Sequence, residues 1–393
     1  MPASPATQAP KKRLVLCCDG TWNKPDKNSD SVRVPTNVAK LARGLLPKAD
    51  DTPQLLYYQR GVGTRHLEHI RGGAFGYGLS RNVRDCYRFI VANYQPRDQL
   101  YFFGFSRGAY TARSTVGLIR NCGILRPEHA DRIDEAYSLY RSRSNRAHPE
   151  TVESELFRQM YAHDSTPPTI HFIGVWDTVG SLGIPIDWLA PQVLARRWSF
   201  HDTTLSSTVL AAYQALAIDE RRGPFKPALW NQADAQAPTE ADRHAATQAP
   251  AAGDDRVLEQ VWFAGVHSDV GGGYANPALA EIPLLWMVNR AREHDLEFAP
   301  DHFEVAAGSD PPPTPDRERG RVLAPHALGE IHKPLKGFYW LLPRHRRRLT
   351  NDNNQSVATS AVRRLQTMRG YSPKSLKKWH DHDWATTAVQ DGS

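Results

Sequence analysis

Apolar residues fall along this chain in short runs that alternate with stretches of helical periodicity. Residues 13–18, RLVLCC, form a brief apolar run that stops at the turn-rich DGTWN and read as a buried strand. PQLLYYQRGVG at 53–63 predicts a second strand leading into a glycine-rich loop. Within 79–94, Leu79, Val83, Cys86, Tyr87, Ile90 and Tyr94 recur at helical spacing. DQLYFFGF at 98–105 predicts a strand, and RGAYTARSTVGLIRNCG at 107–123 a helix stopped at Gly123. Helices are expected near 128–142 and 151–162, then a strand across 169–180 whose apolar run ends at Asp177. A helix-rich stretch is expected over 203–218. Residues 258–274, LEQVWFAGVHSDVGGGY, read as a strand followed by a glycine-rich loop, and 279–293 as a helix. Strands that alternate with helices imply parallel βαβ units. The expected fold class is therefore α/β, a mostly parallel sheet with helices on both faces and a helical or loop insertion as a cap.

This pattern divides the chain. Residues 1–12 read as a disordered tail and 13–323 as the sheet domain. Residues 231–256 are rich in Ala, Gln and Pro and nearly free of large apolar side chains, which predicts a mobile surface insertion; 308–320 is a second such segment. Residues 324–393 form a C-terminal extension, expected either to cap the sheet or to face a membrane. RGGAFGYGLS at 71–80 is expected as a flexible loop near the cleft, since it lacks the Lys-Ser/Thr of a phosphate loop.

Composition narrows the function classes. Of 393 residues, 40% are hydrophobic and 23% charged, enough apolar material for a sizeable core. The net charge of +7 is spread out and no nucleic-acid motif accompanies it, so a nucleic-acid partner is not expected. Cys17, Cys18, Cys86 and Cys122 form no Cys-x-x-Cys pair and read as reduced, buried thiols rather than a disulfide framework or zinc site. No histidine lies in a metal-binding spacing, and neither metal nor cofactor is expected. No apolar segment has signal-peptide or membrane-spanning character, so synthesis in the cytoplasm is expected, with export by a machine that needs no signal peptide left open.

The most informative stretch is Gly104-Phe105-Ser106-Arg107-Gly108, a Gly-x-Ser-x-Gly between an apolar strand and a predicted helix. A nucleophile elbow needs that context, a sharp strand-to-helix turn that lifts the hydroxyl above the sheet. Serine alone is a poor nucleophile and requires a base, which in turn requires an orienting acid. In α/β-hydrolases the chain order is Ser, Asp or Glu, then His. Asp177 and His267 occur in that order, each directly after an apolar strand and before small residues. Asp269 is a competing acid that either orients His267 or shapes its loop.

An oxyanion hole needs two backbone N–H groups. Arg107, directly after the serine, is expected to supply one, and Gly20 or Thr21 in CDGTWN (18–23) the other. Asp19 either holds this loop through hydrogen bonds to its amides or touches substrate. CCDGTW also approaches the phosphatase signature Asp-x-Asp-Gly-Thr, but Cys17 stands where the attacking aspartate belongs. In GFYWLLPRHRRR (337–348), Phe338 to Leu342 adjoin Arg344, Arg346, Arg347 and Arg348. These residues either rest on an anionic lipid surface or form a core-facing element followed by a solvated basic turn.

Taken together, CDGTWN, GFSRGAYTAR, GVWDTVGSLG, ALAIDERR with PFKPALW, and GVHSDVGGGY resemble the α/β-hydrolase domain of the first family of bacterial type VI secretion lipase effectors. The resemblance runs in order over most of residues 13–293. It implies ester hydrolysis with phospholipase A activity, Ser106 as nucleophile, Asp177 as acid and His267 as base. It also implies a lipid substrate, an immunity protein or secretion machinery as partner, and delivery to the periplasm of a target cell. The expected function is thus a carboxylic ester hydrolase of the lipase or phospholipase type. The alternatives are an esterase for a small soluble ester and a non-catalytic scaffold of the same fold.

Overall fold

The structure is a computed structural model that describes residues 12–20, 28–29, 32–61, 74–142, 149, 151–179, 205–230, 256–305, 322–333, 344–352 and 354–391. The expected tail at 1–12 and insertion at 231–256 lie almost wholly outside these residues, and 308–320 lies entirely outside them. In chain order the strands of the main sheet are β1 (Arg13–Cys18), β2 (Lys48–Ala49), β3 (Thr52–Gln59), β4 (Gln99–Phe105), β5 (Phe172–Trp176), β6 (Ala211–Ala217), β7 (Val257–Phe263), β8 (Gln355–Ala358) and β9 (Thr386–Thr387). The helices are α1 (Asn37–Gly44), α2 (Ala74–Asn93), α3 (Arg107–Cys122), α4 (Ile133–Arg141), α5 (Val152–Tyr161), α6 (His267–Gly271), α7 (Ala278–Glu293), α8 (Thr359–Thr367) and α9 (Lys374–Asp381).

Among the described residues the sheet order is β9-β8-β7-β6-β5-β4-β1-β3-β2. Every pairing is parallel except β2 with β3. The mostly parallel α/β sheet expected from the sequence is what the structure shows.

The reason the strands read as continuous apolar runs is that both faces are covered. In β1, Val15 and Cys17 join a core with Phe103, Phe172 and Trp176 under α1 and α7. Their neighbours Leu14, Leu16 and Cys18 point the other way, into a second core with Leu100 and Phe102 under α2 and α3. The helix periodicity read at 79–94 supplies that second core: Val83, Cys86, Tyr87 and Ile90 of α2 are all within it.

Two expectations need correction. The stretch 203–218 was expected to be helix-rich, yet AAYQALA is the central strand β6. Its alanines favour a helix locally, but every one of its residues is buried between β5 and β7, and tertiary context overrides propensity. Residues 74–80, expected as a loop, are the first turns of α2. The described part of the C-terminal extension, expected as a cap or a membrane-facing element, adds to the sheet. It continues the sheet edge through β8 and β9, while Val357, Ala361, Leu376 and Trp379 pack with Leu216 and Trp262 in a third core cluster.

Because the central strands run parallel, their carboxyl ends share one edge. Phe105 pairs with Trp176, and Ala217 with Phe263, so the residues after β4, β5 and β7 emerge side by side. Among the described residues no helix is long and apolar enough to cross a membrane.

Candidate active site

Ser106 occupies the turn between β4 and α3 with φ 59° and ψ −120°, a strained backbone for a residue with a side chain. Its N–H donates to the Trp176 carbonyl at 3.0 Å, which fixes the turn to the end of β5. The flanking glycines are required by close approach. A Cβ on Gly104 would sit 2.6 Å from the Ala109 Cα, and one on Gly108 would sit 2.0 Å from the Cys18 carbonyl oxygen. Gly108→Ala must therefore push α3 away from β1, and we expect it to lower stability by about 3 kcal/mol, read by urea unfolding.

Asp177 follows β5 directly, again with positive φ, 40°. His267 opens α6 after β7. These residues, 90 positions apart, meet: His267 Nδ1 lies 2.5 Å from Asp177 Oδ2. On the other side of the ring, His267 Nε2 lies 2.8 Å from Ser106 Oγ, across 161 positions of sequence. A carboxylate only accepts, so Nδ1 carries the proton and Nε2 is left to accept from the serine hydroxyl. All three side chains are buried.

The imidazole is held on every side. The Phe105 ring stands 4.7 Å from it and the Phe225 ring 4.9 Å, edge-on. Its backbone N–H donates to Glu220 Oε2 at 3.2 Å. Glu220 is itself paired through both oxygens with Arg222. Burial of Glu220 works against its ionisation, but Arg222 outweighs it and keeps the carboxyl below its ordinary range. Burial pushes His267 below its ordinary value of 6.5, and the pull of Asp177 in the opposite direction does not cancel this. His267 is thus neutral at pH 7 and able to accept a proton. Activity that needs this base should hold through neutral pH and fall only as pH drops below about 6.5, measured as the acid limb of kcat/KM.

Asp177 accepts four hydrogen bonds. Besides His267, the Ala217 N–H donates to Oδ1 at 3.0 Å, and Arg347 donates to Oδ1 at 2.5 Å and to Oδ2 at 2.9 Å. Burial alone would raise this carboxyl, but Arg347 and His267 hold it well below the usual carboxylate range. Arg347 is a correction to the sequence reading, which grouped it with Arg344, Arg346 and Arg348 either on a lipid surface or in a solvated basic turn. Residues 337–343 of that stretch lie outside the described residues, but the run from 344 to 349 alternates outward and inward, and Arg347 and Leu349 point in. The sequence there, RHRRRL, has no apolar–polar alternation that would have separated Arg347 from its neighbours. Glu220 and Phe225 were also missed, although both lie in segments the sequence reading quoted.

Asp269 turns away from His267. It accepts from the Val266 N–H at 3.0 Å and faces His332 Nδ1 at 2.6 Å. Asp269→Asn should leave kcat within about tenfold of wild type, because Asp177 already occupies His267 Nδ1; kinetics on a soluble ester check this. Asp19 is buried and accepts from Thr36, from the Tyr58 hydroxyl and, at 2.6 Å, from the Gly20 N–H. These contacts tie the end of β1 to Thr36 at the start of α1 and to Tyr58 of β3. The Gly20 amide is directed at that carboxylate, and Thr21 lies outside the described residues. Arg107 is the first residue of α3, where backbone N–H groups have no partner within the helix.

Residues 12–290 match the family described as T6SS, Phospholipase effector Tle1-like, catalytic domain. An uncharacterised protein of Saccharomyces cerevisiae (strain ATCC 204508 / S288c), YEL023C, is 29% identical over 235 residues, which is 55% of this chain and 32% of that protein. The chain thus spans about a third of that relative's length. A structure of an uncharacterised Pseudomonas aeruginosa protein aligns with TM-score 0.42 and 18% identity, over 80% of this chain and 49% of that one. Zea mays acyl-protein thioesterase 2 aligns with TM-score 0.26 and 8% identity, over 73% of this chain and 93% of that one. With the family match covering most of its length, the chain belongs to the family of Tle1-like phospholipase effectors of the type VI secretion system.

Proposed function

We propose that this protein is a serine hydrolase that cleaves carboxylic ester bonds of phospholipids. The observation that carries the reading is the unbroken contact from Ser106 Oγ to His267 Nε2 and from His267 Nδ1 to Asp177 Oδ2, at 2.8 and 2.5 Å. In this reading His267 takes the Ser106 proton as Oγ attacks the acyl carbonyl carbon. A tetrahedral oxyanion forms, the imidazolium returns the proton to the departing alcohol oxygen, and an acyl-enzyme remains. Water, deprotonated by the same imidazole, then releases the fatty acid.

The developing oxyanion falls at the N-terminal end of α3, where the positive end of the helix dipole favours it. We assign one donor to the Arg107 N–H. The second donor is proposed to come from the loop after β1, Gly20 or Thr21, with the Gly20 N–H lying 2.6 Å from Asp19 Oδ1. Phospholipid as the substrate, and action in a target cell after delivery, are suggested by the family match.

The test is incubation with vesicles of phosphatidylethanolamine and phosphatidylglycerol, followed by lipid mass spectrometry. Equimolar lysophospholipid and free fatty acid are expected, and none with Ser106→Ala. Turnover of short-chain soluble esters with no action on vesicles would reject the phospholipase reading in favour of a small-ester esterase. Expression directed to the periplasm should slow or lyse cells in a Ser106-dependent way, and unimpaired growth of those cells would argue against the effector role.

A further inference from the structure

We infer that Arg347 is the positioning residue of the site, holding Asp177 with both its oxygens fixed so that Oδ2 faces His267. This rests on the hydrolase reading above. Arg347 lies outside residues 12–290, the part that matches the catalytic-domain family, and reaches Asp177 from 170 positions away. Its side chain is 1% exposed and Asp177's is 0%, so the pair is sealed from water.

The geometry is a two-pronged fork. One guanidinium nitrogen meets Oδ1 at 2.5 Å and the other meets Oδ2 at 2.9 Å. The second nitrogen also donates to the Phe225 carbonyl at 2.7 Å. Phe225 is the residue whose ring lies against His267, so one arginine ties together the acid and the wall of the base. The segment that carries it is anchored nearby, where the His345 N–H donates to the Arg221 carbonyl at 2.8 Å and Arg344 bridges Arg222.

The consequence for catalysis is electrostatic as well as geometric. Asp177 with only the neutral His267 and the Ala217 N–H for partners would be a buried carboxylate with no cationic neighbour, and its protonation would become easier. Arg347 keeps it ionised. It also takes part of the negative charge that would otherwise stabilise the imidazolium, which keeps the base neutral at lower pH. The other charged groups around the imidazole are Glu220 and Arg222, which neutralise each other, and His345 adjoins Arg347 along the chain. A carboxylate that already accepts from Ala217, His267 and both prongs of Arg347 has no freedom to rotate, so the Ser106–His267 contact is set before substrate arrives.

The experiment compares the pH profile of kcat/KM for wild type, Arg347→Met and Arg347→Lys, using a soluble p-nitrophenyl ester. Rates are expressed per site titrated with a fluorophosphonate. With Arg347→Met the acid limb is expected to move up by about one pH unit and kcat to fall about a hundredfold. With Arg347→Lys the limb should stay within a few tenths of a unit, because the charge remains, while kcat falls about tenfold, because a lysine cannot fork. A purely structural role would reduce the number of titratable sites but leave rate per site and the acid limb unchanged, and that result in Arg347→Met overturns the inference. If Arg347→Met does not fold, Arg347→Lys decides: undiminished kcat per site overturns the inference. A wild type without Ser106-dependent turnover overturns the hydrolase reading and the inference with it. A wild type that turns over, beside variants with its profile, overturns the inference alone.

Discussion

Replacing Ser106 with alanine is expected to remove about 10⁶-fold of kcat while leaving the protein folded. The two halves of this expectation come from different features. In the proposed mechanism catalysis depends on one oxygen, because no other hydroxyl is within hydrogen-bond distance of His267 Nε2 among the described contacts. The remaining rate would be what oxyanion stabilisation and binding supply alone. The fold does not depend on that oxygen. Ser106 makes no side-chain cap on α3, and its strained φ is borne equally by alanine. Loss of a single hydrogen bond costs about 1 kcal/mol. Ester hydrolysis and urea unfolding on the same preparation check both halves. Retention of activity within tenfold would mean that another nucleophile operates.

Replacing Asp177 with alanine is expected to do more harm to the protein and nearly as much to the reaction. About 10⁴-fold of kcat should go, because His267 is no longer held with its proton on Nδ1. Stability should fall by about 3 to 5 kcal/mol, because Arg347 is left buried with no counter-charge. Against a typical total of roughly 5 to 15 kcal/mol, that brings the chain close to unfolding. Asp177→Asn separates the effects. It keeps an oxygen for Arg347 and Ala217 but cannot hold the correct tautomer, so activity should fall as far while stability falls less. Equal stability of Asp177→Ala and wild type would show that the buried ion pair does not hold the site together.

Much of this site was legible because its residues stand in local contexts with a physical signature. Ser106 lies between glycines that only a tight strand–helix junction requires. Asp177 and His267 each terminate an apolar run, and in a parallel sheet the ends of such runs share one edge. The strands β1, β4, β5 and β7 were legible for the same reason, since coverage on both faces makes most of their residues apolar. The strand β6 was not. Seven residues of only four types, AAYQALA, carry no period that distinguishes a buried strand from a helix, and only the neighbouring strands decide.

Arg347 was not legible as part of the site because its partner is far away in sequence and its neighbours mislead. Arg344, Arg346 and Arg348 are exposed, and a run of arginines reads as a solvated face. The alternation of inward and outward residues at 344–349 distinguishes one arginine from three, but it acquires meaning only once Asp177 is placed behind it. Asp269 shows the opposite case. Proximity to His267 in sequence made it a candidate acid, yet the short helix α6 turns its carboxylate toward His332.

The central claim is that Ser106 is a nucleophile activated by His267. The most direct measurement is intact-protein and peptide mass spectrometry after treatment with a fluorophosphonate at neutral pH. One adduct per chain is predicted, on the peptide that contains Ser106, absent in Ser106→Ala and formed far more slowly in His267→Ala. Folded wild-type protein that takes up no label, or a label that persists in Ser106→Ala, would contradict the account.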